Sequence, residues 1–115
     1  MTSNTDDSIL TDDLIKEMIG EDGRRVNFNG LDFDDLKKLK DHHVMDVLTN
    51  HVNADLVTSI HLSWCNGITN DTLIQISNMC PHLETLHVDY CDMITDDGIV
   101  RIAEKCGQQL KQLLY

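Results

Sequence analysis

The most regular feature of the chain is a pattern of apolar and polar positions that recurs with a shift of 26 residues (87 − 61 = 26). Residues 61–80, HLSWCNGITNDTLIQISNMC, lie over residues 87–106, HVDYCDMITDDGIVRIAEKC. His61/His87, Cys65/Cys91, Ile68/Ile94, Thr69/Thr95, Asp71/Asp97, Ile76/Ile102 and Cys80/Cys106 are identical pairs, and most other pairs keep their chemical type. The match runs on as PHLETL over GQQLKQL, with one inserted residue. A period of this length marks a stack of like units, each burying its apolar side against the next.

Each unit predicts a short strand followed by a helix. Leu83, Leu86, Val88 and Cys91 point inward while His87 and Asp89 alternate outward, and Val57, Ile60, Leu62 and Cys65 repeat the pattern one unit earlier. Thr69 and Thr95 are predicted N-caps, followed by Asp71, and by Asp96 and Asp97, in the first turn where carboxylates complement the helix dipole. Leu73, Ile76 and Cys80 recur at three- and four-residue spacing, as do Ile99, Ile102, Ala103 and Cys106, which predicts one buried stripe per helix. Pro81 and Gly107 terminate the two helices.

Upstream the pattern is looser. Val26-Asn27-Phe28 alternates as a further strand, and Val44, Val47, Leu48 and His51 recur at helical spacing, so residues 24–56 read as a longer, degenerate unit. Thr11 to Gly20 has a cap, an amphipathic turn or two and a terminating Gly, which predicts a short capping helix. Residues 1–8 read as a disordered tail. The chain therefore divides into residues 1–23, tail and capping helix, and residues 24–115, a repeat domain made of units 24–56, 57–82 and 83–109 and the start of another at 110–115. The sequence ends on Leu110, Leu113 and Leu114 with no visible polar cap, so that edge is expected to continue into further repeats or to dock against another chain.

Composition narrows the function. With 115 residues the chain is one small domain, and 9 Lys+Arg against 20 Asp+Glu give a net charge of −11. That charge argues against a nucleic-acid backbone or an anionic membrane surface as partner. No apolar run approaches the roughly 18 residues of a membrane span. The N-terminus has neither a basic nor an apolar signal region, so a cytoplasmic or nuclear location is expected, or a mitochondrial one if a presequence has been removed. The four Cys include no Cys-x-x-Cys pair and fall in two columns of the repeat, which predicts buried structural thiols rather than disulfides or a zinc site.

The motif Leu83-x-x-Leu86-x-Val88-x-x-Cys91, then Ile94-Thr95-Asp96-x-Gly98, then Ile102-Ala103 and Cys106, with its counterpart from Val57 to Leu83, resembles the cysteine-containing class of leucine-rich repeat. Such repeats occur in F-box substrate receptors and mitotic-exit antagonist proteins. The resemblance implies an α/β fold: a short leucine-rich repeat forming a right-handed open α/β coil, here with an N-terminal helical cap, strands on the concave side and helices outside. It also implies a non-catalytic role in recognising a substrate or partner of a ubiquitin ligase or a related cell-cycle regulator. The sole Pro, Pro81, lies within the repeats, so the Leu-Pro motif that opens an F-box is missing upstream of them. In layout, Arg25 to Phe28 followed by Leu56 to Cys65 is similar to the short leucine-rich proteins related to ATP synthase subunit s, which implies an assembly or coupling role in a mitochondrial membrane complex.

Candidate partner-binding residues follow from the outward strand positions: Ser59, His61, Ser63, Trp64, Thr85, His87, Asp89 and Tyr90, with Glu84 beside them. His61 and His87 should sit about 5 Å apart across parallel strands. With Asp89 nearby, a metal or pH-sensitive contact is one reading and two solvated imidazoles the other. Trp64 and Tyr90 precede each repeat cysteine, either as binding anchors or as covers for the core edge. The pair His42-His43, beside Asp41 and Asp46, reads as a solvated helix start, and Asp32-Phe33-Asp34-Asp35 lacks the Gly and closing Glu of a calcium loop. With no phosphate loop, zinc helix or nucleophile elbow in the sequence, no enzymatic activity and no cofactor are expected, and the partner is expected to be a protein on the concave face.

Overall fold

A computed structural model of the chain describes residues 9–115. The tail expected at residues 1–8 lies outside them. In chain order the elements are α1 (Asp12–Met18), β1 (Arg25–Asn27), α2 (Phe33–Lys38), α3 (Asp41–Asn50), β2 (Ser59–His61), α4 (Asn70–Met79), β3 (Thr85–His87), α5 (Asp96–Cys106) and β4 (Gln112–Leu114). The four strands form one sheet in the order β1-β2-β3-β4, and every pair is parallel. This is a small mixed α/β fold in which each adjacent parallel pair is joined through helix, as parallel connection requires.

Register follows the repeat. Val26, Ile60, Leu86 and Leu113 align across the sheet, and the first three are fully buried. The one-residue insertion is absorbed before β4, so Leu86 meets Leu113 at a separation of 27 rather than 26 (113 − 86 = 27). Only three residues of each unit are strand, although the inward pattern extends from Leu83 to Cys91. Backbone bonds continue past the strands, from Leu62 N to His87 O and from Trp64 N to Asp89 O, up to the point where Trp64 and Tyr90 turn into the left-handed region, at φ 68° and 62°. Phe28 likewise leaves the expected strand for a 3-10 turn, Phe28–Gly30, with its ring fully buried.

The core lies between the sheet and the helices. Leu73 and Ile76 of α4, Ile102 of α5, and Val44, Val47 and Leu48 of α3 are all buried at or below 1% exposure, which makes them one continuous apolar layer. Burying each such side chain contributes about 1.5–3 kcal/mol. Ala103, by contrast, is exposed, because among the described residues no helix packs on the far side of α5. His51 is exposed as well, since α3 ends at Asn50 and His51 becomes its C-cap.

Helix starts are held from the preceding helix. Asp41 at the start of α3 accepts from Thr69 N (2.8 Å), from Thr69 Oγ1 (2.7 Å) and from the buried Thr72 hydroxyl of α4. Asn70 at the start of α4 accepts from Thr95 N (3.0 Å) and donates to Thr95 Oγ1 (2.7 Å). Thr69 caps its own helix through Asp71 N, as expected. Thr95 occupies the cap position of α5 without a side-chain cap bond, because its hydroxyl accepts from Asn70 instead. A Cβ on Gly98 would overlap Asn70 Oδ1, so the close approach of α5 to α4 needs glycine there.

Of the solvated helix start expected at His42-His43, His42 is exposed and His43 is corrected. His43 is 4% exposed, and its Nδ1 accepts from Lys40 N at 2.8 Å, closing the first turn of α3. At the other end of the chain's described region, α1 is capped by Thr11, whose hydroxyl accepts from Leu14 N. Ile19 after α1 forms an antiparallel bridge with Val26 of β1, and Gly20 N donates to Arg25 O.

Candidate functional site

Strand alternation sends every second side chain of β2 and β3 to the face away from the helices. Arg25, Ser59, Thr85 and Gln112 form one row across that face, and Asn27, His61, His87 and Leu114 form the next. Beyond the strand ends, side-chain bonds join the remaining backbone pairing. Asn29 Nδ2 donates to Ser63 O (2.6 Å), Ser63 N donates to Asn29 Oδ1 (3.0 Å), and Ser63 Oγ donates to Asp89 Oδ1 (2.6 Å). Trp64 N then donates to Asp89 O at 2.9 Å. The predicted residues Ser59, His61, Ser63, Trp64, Thr85, His87, Asp89 and Tyr90 are thus brought to one surface.

His61 and His87 stack with ring centroids 4.1 Å apart. Partial burial pushes the His61 pKa down, the neighbouring His87 and Arg25 charges push the same way, and Asp89 opposes them. The stack therefore favours a neutral His61. His87 Nε2 donates to Gln112 Oε1 at 2.7 Å, which fixes that ring. Among the described residues no group of three or more His, Cys, Asp or Glu side chains converges as metal coordination requires.

Trp64 and Tyr90 also stack, at 4.1 Å and an interplanar angle of 15°. Phe33, at the start of α2, stands across Trp64 at 5.6 Å and 84°. These three rings stay 43%, 61% and 60% exposed for Trp64, Tyr90 and Phe33 respectively, so they are a surface column and not part of the core. Each ring pair is worth about 0.5–1.5 kcal/mol. Set against that, each left-handed aromatic residue stores about 1–3 kcal/mol of backbone strain. An open cleft of about 440 Å³ lies on the Phe33 side, lined by Asn29, Phe33, Leu36, Ser63, Trp64 and Asp89 among others. A second, of about 430 Å³, lies on the other side between Asp89, Tyr90, Leu114 and Tyr115.

The thiols sit behind this surface. Cys65, Cys80, Cys91 and Cys106 are free and buried. Burial pushes Cys65 and Cys80 up to about 12 and Cys91 to about 11, and raises Cys106 as well. Cys91 Sγ donates to Leu62 O at 3.0 Å. Such thiols stay protonated and act as small apolar side chains.

Phe33, Asn29 and Gln112 belong to the surface without standing among the residues read from the repeat. Phe33 has no repeat partner to flag it. Its signal in the sequence is a lone aromatic ring among Asp32, Asp34 and Asp35, where a helix start places it outward.

Residues 80–103, a stretch of 24 of the 115 (103 − 80 + 1 = 24), match a family model described as Leucine Rich repeat. No curated protein matches the chain. The matched stretch holds β3 and most of α5, and a repeat of this kind points to a protein-interaction module. Among the described residues no helix is long and apolar enough to cross a membrane.

Proposed function

We propose that the chain is a protein-recognition module whose partner docks on the exposed strand face and is anchored by Trp64 and Tyr90. The carrying observation is that two large aromatic residues occupy left-handed backbone where glycine would be relaxed, and yet remain exposed and stacked. Core packing does not account for them, and aromatic anchors at interface centres do. Around them the face is polar, lined by Ser63, Asp89, His61 and His87, of which Ser63 and Asp89 are held together by a hydrogen bond.

In this reading the units stack as a short right-handed α/β coil with the strands on its concave side, closed at the N-terminal end by α1. The repeat motif favours the recognition half of an F-box-like ubiquitin-ligase receptor or a related cell-cycle regulator, acting in the cytoplasm or nucleus. The strand and two helices that precede the regular units favour a second role, as an assembly or coupling subunit of a mitochondrial membrane complex. Exposed Leu114 of β4 and Tyr115 after it make a second contact edge for another chain.

The test is a tagged pull-down from source cells with mass-spectrometric readout, comparing the chain with a Trp64→Ala/Tyr90→Ala variant of unchanged circular dichroism. Partners lost in the variant are expected. Cullin-type ligase subunits among them support the receptor role, and inner-membrane subunits replace it with the coupling role. Partners retained in full by the variant refute the aromatic anchor.

A further inference from the structure

The cleft beside Phe33 combines three features. Its walls include two rings in edge contact at 84°, Phe33 and Trp64, which form a corner where a side chain meets aromatic surface from two directions. Its lining includes one carboxylate, Asp89, whose Oδ1 is fixed by the Ser63 hydroxyl at 2.6 Å while, among the described residues, no hydrogen bond reaches its other oxygen. Among the described residues no Lys or Arg lines it, and Lys37 and Lys38 sit in the last turn of α2, away from the Phe33 end. A volume of about 440 Å³ accommodates a long side chain.

Aromatic walls with one oriented carboxylate select a cation, and a net charge of −11 draws a basic segment toward the surface. Among protein cations the geometry discriminates. A guanidinium is flat, weakly hydrated and able to stack on a ring while its edge donates to a carboxylate. An ammonium is compact and strongly hydrated, and it gains less from a flat wall. The apolar stem of an arginine would cover Leu31 and Leu36 at the base of the same cleft.

We propose that the corner formed by Phe33, Trp64 and Asp89 receives the guanidinium of an arginine in a basic segment of a partner protein. This rests on the reading of the strand face as a protein-docking surface and names the chemistry of its first anchor. The guanidinium lies against the exposed rings, and one N–H donates to the unoccupied oxygen of Asp89. The second cleft, between Tyr90 and Tyr115, lies on the other side of the stacked rings and shares Asp89, so the two sites compete for one carboxylate.

Trp64 is the single tryptophan, so its emission reports on the corner directly. The experiment titrates the full chain with three peptides of the form Gly-Ser-X-Ser-Gly, where X is arginine, lysine or citrulline. Saturable change with the arginine peptide is expected, with binding about fivefold weaker for lysine and about tenfold weaker for neutral citrulline. Phe33→Ala should weaken the arginine peptide about tenfold, and Asp89→Asn should erase the preference for arginine over citrulline. Circular dichroism checks that both variants fold, and Asp89→Glu, which keeps the charge, should retain the preference.

Equal responses to arginine and lysine, or no response to any peptide, overturn the proposal. The same samples separate this from failure of the broader reading. If the pull-down still yields partners that depend on Trp64 and Tyr90 while the peptides do not discriminate, the docking surface stands and the guanidinium site falls. If neither the peptides nor any partner depends on Trp64, both fall.

Discussion

The starts of α4 and α5 are held by the same device built from different chemistry. At α4 the clamp is Asp41, an acceptor-only carboxylate from the irregular N-terminal half, and it gathers three donors, including the buried Thr72 hydroxyl. At α5 the clamp is Asn70, from the first regular unit, which accepts once and donates once to Thr95. The position matching Thr72 is Gly98 (72 + 26 = 98), where the amide needs room that a Cβ would take. A carboxylate recruits a third donor, the second hydroxyl, whereas an amide completes its bonds with one residue and calls for space. The junction between irregular and regular halves is therefore the more heavily bonded of the two.

That contrast can be broken first at Asp41. Asp41→Ala strips acceptors from Thr69 N and from two hydroxyls, and should lower stability by about 3 kcal/mol in urea denaturation, against about 1 kcal/mol for Asn70→Ala. Equal losses would make the two clamps energetically alike. Next, Gly98→Ala should cost about 1–2 kcal/mol alone and close to nothing in the Asn70→Ala background, because the overlapping amide is then gone. Additive losses in that double-mutant cycle would show that the cost arises at Leu73, the other neighbour of the new Cβ.

A smaller effect tests the strained aromatics. Trp64→Gly and Trp64→Ala both remove the ring, but only glycine relaxes φ 68°, so the glycine variant should be more stable by about 1 kcal/mol. Smallest is the pH dependence of the imidazole stack. Folding holds the His61 pKa below its usual 6.5, so the unfolded chain binds that proton more readily. Its contribution is intact above about pH 6.5 and declines as pH falls from there toward the folded-state value. His61→Gln should flatten that part of the decline between about pH 7.5 and about pH 5.5, measured as a urea midpoint. An unchanged slope would place the proton uptake elsewhere.

Columns were legible in the sequence wherever one residue is carried forward by the period. The pairs His61/His87 and Trp64/Tyr90, the two columns of thiols and the buried faces of α4 and α5 follow from the shift of 26 and from two elementary side-chain periods. What stayed hidden are contacts that cross from the irregular half into the regular one. Phe33 on Trp64, Asn29 on Ser63 and Asp41 on Thr69 each join partners with no periodic relation. Ends of stripes were also misjudged. Ala103 and His51 have the right spacing for burial, but spacing records which way a side chain points and not whether a neighbour stands there. His43 errs the other way, a polar residue drawn inside because Lys40 N supplies its hydrogen bond.

The stacked rungs of the surface have a consequence for commensurability. Neighbouring strands advance by about 4.8 Å, and the rings of His61 with His87 and of Trp64 with Tyr90 follow that spacing closely, at 4.1 Å. An extended peptide offers like-facing side chains only every two residues, or about 6.6 Å. A ligand laid across the strands falls out of step with the ladder within two rungs. However many units are stacked, an extended peptide laid across the strands cannot match one like-facing side chain to each rung.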